Sequence, residues 1–369
     1  MEKPIEIKVV NENQSKLLRP IMREGFGLIG NLMAYDVGKH TLVAYQGDHI
    51  LGGIVCGVIR VNKKETLGIV KYIFTSKKAR GLGVASKLLK EALNYFKSQN
   101  YQEVVACIEG YNTASSYVFT KFGFKIKDTR SQLKQFKHKL PLVWLKGKHI
   151  VDFGHFWWVK SLHDEPVKES RKEILKPFIT HTVLNALLPI LLIFRVSGFL
   201  SYVQLIMAFL AIVLVFLLRF VPMFIYSKVK KYPLYYKGFE SGYTLSLLIT
   251  MILGGIFLSY GGVYPKKEVW KEIEERRHLA PMHLASVSTM VLSSILIVLF
   301  NYLFTFTPPY EYLMKVLLIY IPFMTFIDLL FAFFPVNSLS GGRIVKSYPK
   351  LWGLLIVISL STLIVSYMV

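Results

Sequence analysis

From Pro177 to Val369 apolar segments follow one another almost without pause, at about 178–194, 199–226, 241–263, 282–305, 311–334 and 350–369. Most reach the roughly 20 residues that an α-helix needs to cross a ~30 Å hydrocarbon core. No soluble fold needs so many in succession. The back half, 177–369, is therefore expected to be an all-α polytopic membrane domain of five to six apolar segments. Hydrophobic residues make up 53% of the chain and mean hydropathy is +0.42, which excludes disorder, a collagenous repeat and a secreted disulfide scaffold.

The basic loops bear on topology. If all six segments cross, the loop 264–281, with Lys266, Lys267, Lys271, Arg276 and Arg277, faces outside, as does 335–349 with Arg343 and Lys346. Both placements oppose the tendency of Lys and Arg to stay on the cytosolic side. The third segment carries Gly242, Gly254, Gly255, Gly261 and Gly262, unusual for a lipid-facing span. A re-entrant third segment puts every basic loop in the cytosol, and irregular backbone at that depth must then be buried in protein or face water. Both versions stay open, with the re-entrant one favoured.

The front half differs in character. Residues 1–176 hold 30 Lys+Arg against 16 Asp+Glu, whereas 177–369 hold 15 against 7. Beside membrane spans this excess points to anionic lipid headgroups rather than to nucleic acid. Met1–Val10 lacks the apolar stretch of a secretory leader, so the front half is expected in the cytosol. Cys56 and Cys107 read as buried thiols in a reducing compartment. Thr41–Tyr45 and Ile50–Val61 are strand-like runs around a Gly47-Asp48 turn, and Leu67–Thr75 is a further strand. Ala85–Gln99 has Leu88, Leu89, Ala92, Leu93 and Phe96 at helical spacing. Val104–Ile108 reads as a buried strand and Ala114–Lys121 as a helix before Gly123. An α/β domain over 1–150 is followed by a join at 151–176, where Phe153-Gly-His-Phe-Trp-Trp beside Lys160 suits a membrane–water interface.

The chemical signal is Arg80-Gly81-Leu82-Gly83-Val84-Ala85, between a strand and an amphipathic helix. Glycines allow a tight turn and a close approach to a ligand. The helix N-terminus then offers unpaired N–H groups and partial positive charge to a phosphate. As a bare pattern this is also an ordinary turn. In its setting, with Asn112 and Gly123-Phe124 downstream, it resembles the GNAT superfamily of N-acetyltransferases over about residues 5–145. The resemblance implies the GNAT fold, a mixed central sheet with flanking helices, and acetyl-CoA as cosubstrate. It implies that Arg80, Gly81, Leu82, Gly83, Val84 and Ala85 hold the pyrophosphate, and that Tyr72, Ile73, Phe74 and Thr75 run beside the pantetheine arm. Asn112 matches the asparagine before the last helix, and the resemblance implies that it and Phe119 also belong to the cofactor-binding set. Many relatives place a tyrosine where this chain has Phe119, and a phenyl ring cannot protonate the leaving thiolate. Water or another group can, since a thiol of pKa ~8.5 leaves readily. A base for the acceptor amine is sought at Glu109, just past the strand, with Tyr111 and Glu24 as weaker candidates. A surface-loop carboxylate is the bland alternative for Glu109.

The membrane half carries a second resemblance. Phe334-Pro-Val-Asn-Ser-Leu-Ser-Gly-Gly-Arg-Ile344 is similar to the Asn-x-x-Pro…Leu-Asp-Gly-Gly-Arg segment of site-2-protease-like intramembrane metalloproteases, whose His-Glu-x-x-His helix and later aspartate bind zinc. The matching positions here are Arg219, Phe220, Met223 and Ser340. The resemblance thus implies a scaffold without metal, proteolytically inactive, serving as anchor or as presenter of substrate. His181, His278 and His283 read as core or interfacial histidines, and Asp328 as a structural hydrogen-bonding acid or a functional intramembrane one. The whole is read as an integral, multi-pass membrane N-acetyltransferase acting on an amine-bearing protein or lipid-linked acceptor. The other reading is a non-catalytic acetyl-CoA-binding sensor or scaffold.

Overall fold

The computed structural model describes residues 4–10, 17–24, 26, 40–63, 65–147, 154–163, 167, 169–170, 172–197, 201–255, 257–267, 269–333 and 338–368. The chain divides into two compact units: Met1–Ile108 with Asn112–Arg171, and Glu109–Tyr111 with Lys172–Val369.

The first unit is built on a mixed seven-stranded sheet. Its strands are β1 (Ile5–Val10), β2 (Thr41–Gln46), β3 (His49–Arg60), β4 (Thr66–Thr75), β5 (Glu103–Glu109), β6 (Lys125–Ile126) and β7 (His155–Ser161). They lie in the order β1-β2-β3-β4-β5-β7-β6. Neighbours from β1 to β4 are antiparallel, and β4 is parallel to β5. A parallel pair requires a crossover, here α1 (Val84–Ser98), followed after β5 by α2 (Thr113–Lys121). Residues buried on α1 are Val84, Leu88, Leu89, Ala92, Leu93 and Phe96, the stripe read from the sequence. Gly68 on β4 lies under Phe96, where a Cβ would come within 2.7 Å of Phe96 Cε1. The missing side chain lets helix and sheet close up.

Ile59, Leu67, Ile69, Val105, Trp157 and Val159 form a core with Phe136, Leu140, Val143 and Trp144. The last four come from α3 (Thr129–Phe136) and α4 (Leu140–Lys146). Buried Gln132 is satisfied on both sides. It accepts from Trp144 Nε1 at 2.8 Å and donates to the Lys127 carbonyl at 2.8 Å.

One expectation is corrected here. Phe156, Trp157 and Trp158, read as interfacial anchors in a 151–176 join, are 1%, 0% and 8% exposed inside β7. Successive side chains of a strand point to opposite faces, so three buried in a row mean that both faces of β7 are covered. Such a strand reads as an unbroken apolar run, and aromatic clustering alone did not distinguish it from a membrane belt. Phe153 lies outside the described residues.

Among the described residues the second unit is helical, as expected, apart from one two-stranded antiparallel sheet, β8 (Leu234–Gly238) with β9 (Gly261–Pro265). Its helices are α5 (Leu175–Ala186), α6 (Leu188–Ser197), α7 (Tyr202–Val229), α8 (Glu240–Leu248), α9 (Glu272–Leu303), α10 (Tyr310–Leu330), α11 (Ser340–Ser347) and α12 (Pro349–Met368). Among the described residues, five stretches are long and apolar enough to cross a membrane: Leu175–Leu192, Tyr202–Val229, Glu272–Leu303, Tyr310–Leu330 and Pro349–Met368. On α7 one face buries Ala208, Ala211, Ile212, Val215 and Phe216. The other exposes Ile206, Leu210, Leu214, Leu217, Val221 and Ile225. A helix apolar on its outer face as well as its inner one suits a lipid solvent. The third apolar segment is no continuous helix. It runs as α8, a π turn at Ile249–Leu253, Gly254 at φ +71° and then β9.

Candidate active site

Between β4 and α1 the chain makes one 3₁₀ turn, Lys77–Ala79, and then the glycine loop. Gly81 and Gly83 have φ of +85° and +73°, and a Cβ at either would meet nothing within 4 Å. They are therefore glycines for conformation and not for packing: the left-handed region costs an L-residue about 1–2 kcal/mol. Gly83 is the N-cap of α1, with no side-chain cap hydrogen bond and no acidic residue in the first turn. The first N–H groups of an α-helix have no intrahelical acceptor. Here a Gly cap leaves them uncovered, and the exposed side chains around them include Lys77, Lys78, Arg80 and Lys87. Backbone N–H groups, a helix dipole and flexible cations are a donor set suited to a diphosphate.

Parallel pairing of β4 and β5 is recorded at Gly68↔Val104, Ile69↔Val105 and Val70↔Ala106. It goes no further among the described residues, although β4 continues to Thr75 and β5 to Glu109. On its other edge β4 stays paired with β3 from Val55↔Tyr72 to Gly52↔Thr75, after a register shift beside Lys71. A bulge of this kind re-aims a strand. Tyr72, Ile73 and Thr75 are part-exposed and Phe74 is buried.

The remaining residues fall in different surroundings. Asn112 caps α2, its side chain accepting from Ser115 N–H at 3.1 Å. Phe119 is buried at 2% exposure with its ring 4.8 Å from that of Phe124, edge to face. Tyr117 is exposed. Glu24 accepts from the Lys77 N–H at 3.2 Å, at the turn that leads into the glycine loop.

Glu109 is the last residue of β5, and with Tyr111 it groups with the second unit. It is not a surface carboxylate. It is 6% exposed and accepts from Ser338 Oγ at 3.1 Å. Tyr111 donates to the Val263 carbonyl, lies under the Arg343 guanidinium and packs on Tyr264 and Trp270. Burial pushes its phenol up to about 12, against the opposing pull of Arg343. Sequence reasoning did not find these contacts, because they join residues more than 150 positions apart.

Arg219, Asp328, Ser340 and His283 form a buried polar network within the second unit. Arg219 Nη2 pairs with Asp328 Oδ1 at 3.0 Å, with side chains 2% and 4% exposed. The same oxygen accepts from the Ser340 N–H, at the start of α11, at 2.9 Å. Ser340 Oγ lies 2.9 Å from His283 Nδ1, and Met223 is fully buried. Asp328 is thus a hydrogen-bonding acid held by a guanidinium and a helix N-terminus. His181 is a core histidine bonded through Nδ1 to the Tyr236 hydroxyl. Among the described residues no group of three or more His, Cys, Asp and Glu is arranged to hold a metal ion. Phe334–Asn337 lie outside those residues.

Residues 12–124 match the acetyltransferase (GNAT) family. The match spans the glycine loop, β5 and α2, and ends at Phe124. Among curated proteins, N-alpha-acetyltransferase 30 of Schizosaccharomyces pombe is 31% identical over 87 residues, 23% of this chain and 57% of that protein. The probable N-acetyltransferase san of Drosophila melanogaster is 24% identical over 133 residues, 35% of this chain and 72% of that protein. The chain therefore spans little more than half the length of the first of these relatives. Among solved structures, Arabidopsis thaliana Naa50 in complex with the bisubstrate analogue CoA-Ac-MVNAL is 20% identical, with 42% of this chain and 98% of that one covered and a TM-score of 0.33. The PaiA N-acetyltransferase of Thermoplasma acidophilum in complex with coenzyme A is 16% identical, covering 43% and 99%, with a TM-score of 0.32. The GNAT match and the mixed sheet agree with the fold implied by the glycine motif.

Proposed function

We propose that this protein is a membrane-anchored, acetyl-CoA-dependent N-acetyltransferase whose front domain lies in the cytosol. The observation that carries the reading is the uncovered N-terminus of α1, capped by Gly83 and approached through Gly81. The N–H groups of Leu82–Ala85, with Arg80, would hold the diphosphate of CoA, and Tyr72–Thr75 would lie beside its arm. When bound, the cosubstrate supplies an acetyl group activated as a thioester. The chain's part is to orient that group, to receive an amine, and to take up the proton the amine releases, for which Glu109 is the candidate. Phe119 donates nothing, so the proton on the departing sulfur comes from water or a neighbour. The names of the curated relatives support an amine as acceptor. A protein N-terminus or lysine near the membrane, or a lipid-linked amine, would suit a catalytic domain tethered there.

The five long apolar helices support integral anchoring over 177–369, with anionic headgroups as partners of the basic flanks. That half is proposed to be a proteolytically inactive relative of site-2 proteases, since Arg219, Met223 and Ser340 stand where ligands would be. A second reading has its own support: Phe119 is buried carbon and Tyr111 is committed to a carbonyl, as a non-catalytic acetyl-CoA sensor would allow.

Calorimetry on the full-length protein tests the cradle. Acetyl-CoA is expected to bind the wild type, and Gly83→Glu is expected to abolish binding by placing a carboxylate and a strained residue at the helix cap. No heat from the wild type, or equal binding by the variant, overturns the reading.

A further inference from the structure

At the head of α5, within the second unit, lies a cavity of about 610 Å³. Its charged lining is Lys172, Lys176 and Lys266 against Glu173 alone. Lys176, Thr180 and Lys266 are exposed, while Lys172 Nζ reaches the Lys267 carbonyl at 3.4 Å. Two backbone bonds fix the walls: Tyr236 N–H to the Glu173 carbonyl, and Lys266 N–H to the Pro233 carbonyl, both at 2.9 Å. The first turn of α5 contains no acidic residue and no side-chain cap, so its dipole adds to the positive field.

The apolar part of the lining has a direction. Leu175 and Ile179, at 68% and 49% exposure, begin a stripe continued by Val183, Leu187 and Leu191 at 38%, 41% and 40%. The positions recur every four residues, which advances about 40° per step on a helix of 3.6 residues per turn, so the stripe winds obliquely around the span Leu175–Leu192. A basic cup continuous with an apolar stripe is complementary to one kind of molecule: a headgroup of net negative charge with a hydrocarbon tail. Ammonium groups suit a phosphate as point charges. With three of them against one carboxylate, the cup favours a net anionic headgroup over a zwitterionic one.

We infer that this cavity seats one anionic phospholipid, its phosphate at Lys176 and Lys266 and an acyl chain along the Leu175–Leu191 stripe. The inference rests on α5 entering the membrane and would fix the level at which the helix enters the bilayer surface.

The test uses full-length protein reconstituted into phosphatidylcholine bilayers containing phosphatidylglycerol as the minor lipid, then re-extracted for native mass spectrometry. The wild type is expected to retain phosphatidylglycerol in preference to phosphatidylcholine. Each lysine near an anionic group contributes about fivefold, so Lys176→Gln combined with Lys266→Gln is expected to lower that preference about 25-fold. Photoreactive phosphatidylglycerol on the wild type, which needs no variant, is expected to crosslink within 172–180. Equal retention of both lipids, an unchanged preference in the double variant, or crosslinks spread evenly over the spans overturns the inference. Carbonate extraction separates the two levels. Protein that stays in the membrane without headgroup preference removes the lipid seat alone, whereas protein released by carbonate removes the membrane reading beneath it.

Discussion

Gly81 and Gly83 do by conformation what no side chain in the loop does by chemistry. Open space surrounds both positions, so the requirement for glycine is a backbone requirement, and it exists to leave α1 uncapped. Cys56 has the opposite character. It is 2% exposed on β3, and burial pushes its thiol up to about 12. The thiol then stays protonated at pH 8, and the thiolate is the reactive form. A maleimide at pH 8 is expected to leave Cys56 unmodified in the native protein and to label it after denaturation, as read by peptide mass mapping. Rapid native labelling would show that β3 is open to solvent. The glycine loop between strand and helix was legible in the sequence because glycine spacing, strand and helix lie within twenty positions. Glu109 was legible as a chemical group but not as a buried one, since its hydrogen bond comes from Ser338.

Among the elements, α7, α10 and α11 depend on one another through a single carboxylate. Asp328 Oδ1 neutralises Arg219 and caps the first turn of α11. The neighbouring Gly341 allows that approach, because a Cβ there would come within 2.9 Å of the Asp328 carbonyl oxygen. Removing one partner of a buried pair strands the other charge and costs about 3–5 kcal/mol, whereas replacing both with apolar groups of similar size is often close to neutral. Arg219→Met and Asp328→Leu singly are therefore expected to lower the unfolding midpoint in detergent sharply, and the double variant to recover most of the loss. Additive losses would contradict a coupled pair. The same scale shows why β7 escaped the sequence reading: Phe156–Val159 is apolar on both faces, and periodicity cannot separate a fully buried strand from an interfacial cluster. The third apolar segment was readable as irregular from its glycines, and it breaks at Gly254.

For the whole molecule, the proposed cytosolic front domain followed by five spans would put 230–271 and 331–348 in the cytosol. The connections 193–201 and 304–309, whose one Lys or Arg is Arg195, would then lie on the far side. This arrangement puts the Lys- and Arg-rich loops on the cytosolic side, as the positive-inside bias prefers. With the native cysteines replaced, Lys231→Cys and Lys271→Cys are expected to react with an impermeant maleimide from the same face of sealed vesicles. Labelling from opposite faces would make the third segment a full crossing. Acetyl transfer at the membrane can be read by incubating the purified full-length protein with labelled acetyl-CoA and source membranes, then separating lipid extract from precipitated protein. The account predicts label in one of the two fractions and none with Gly83→Glu. No label in either fraction, with acetyl-CoA still bound to the wild type, would contradict the enzyme and leave the sensor.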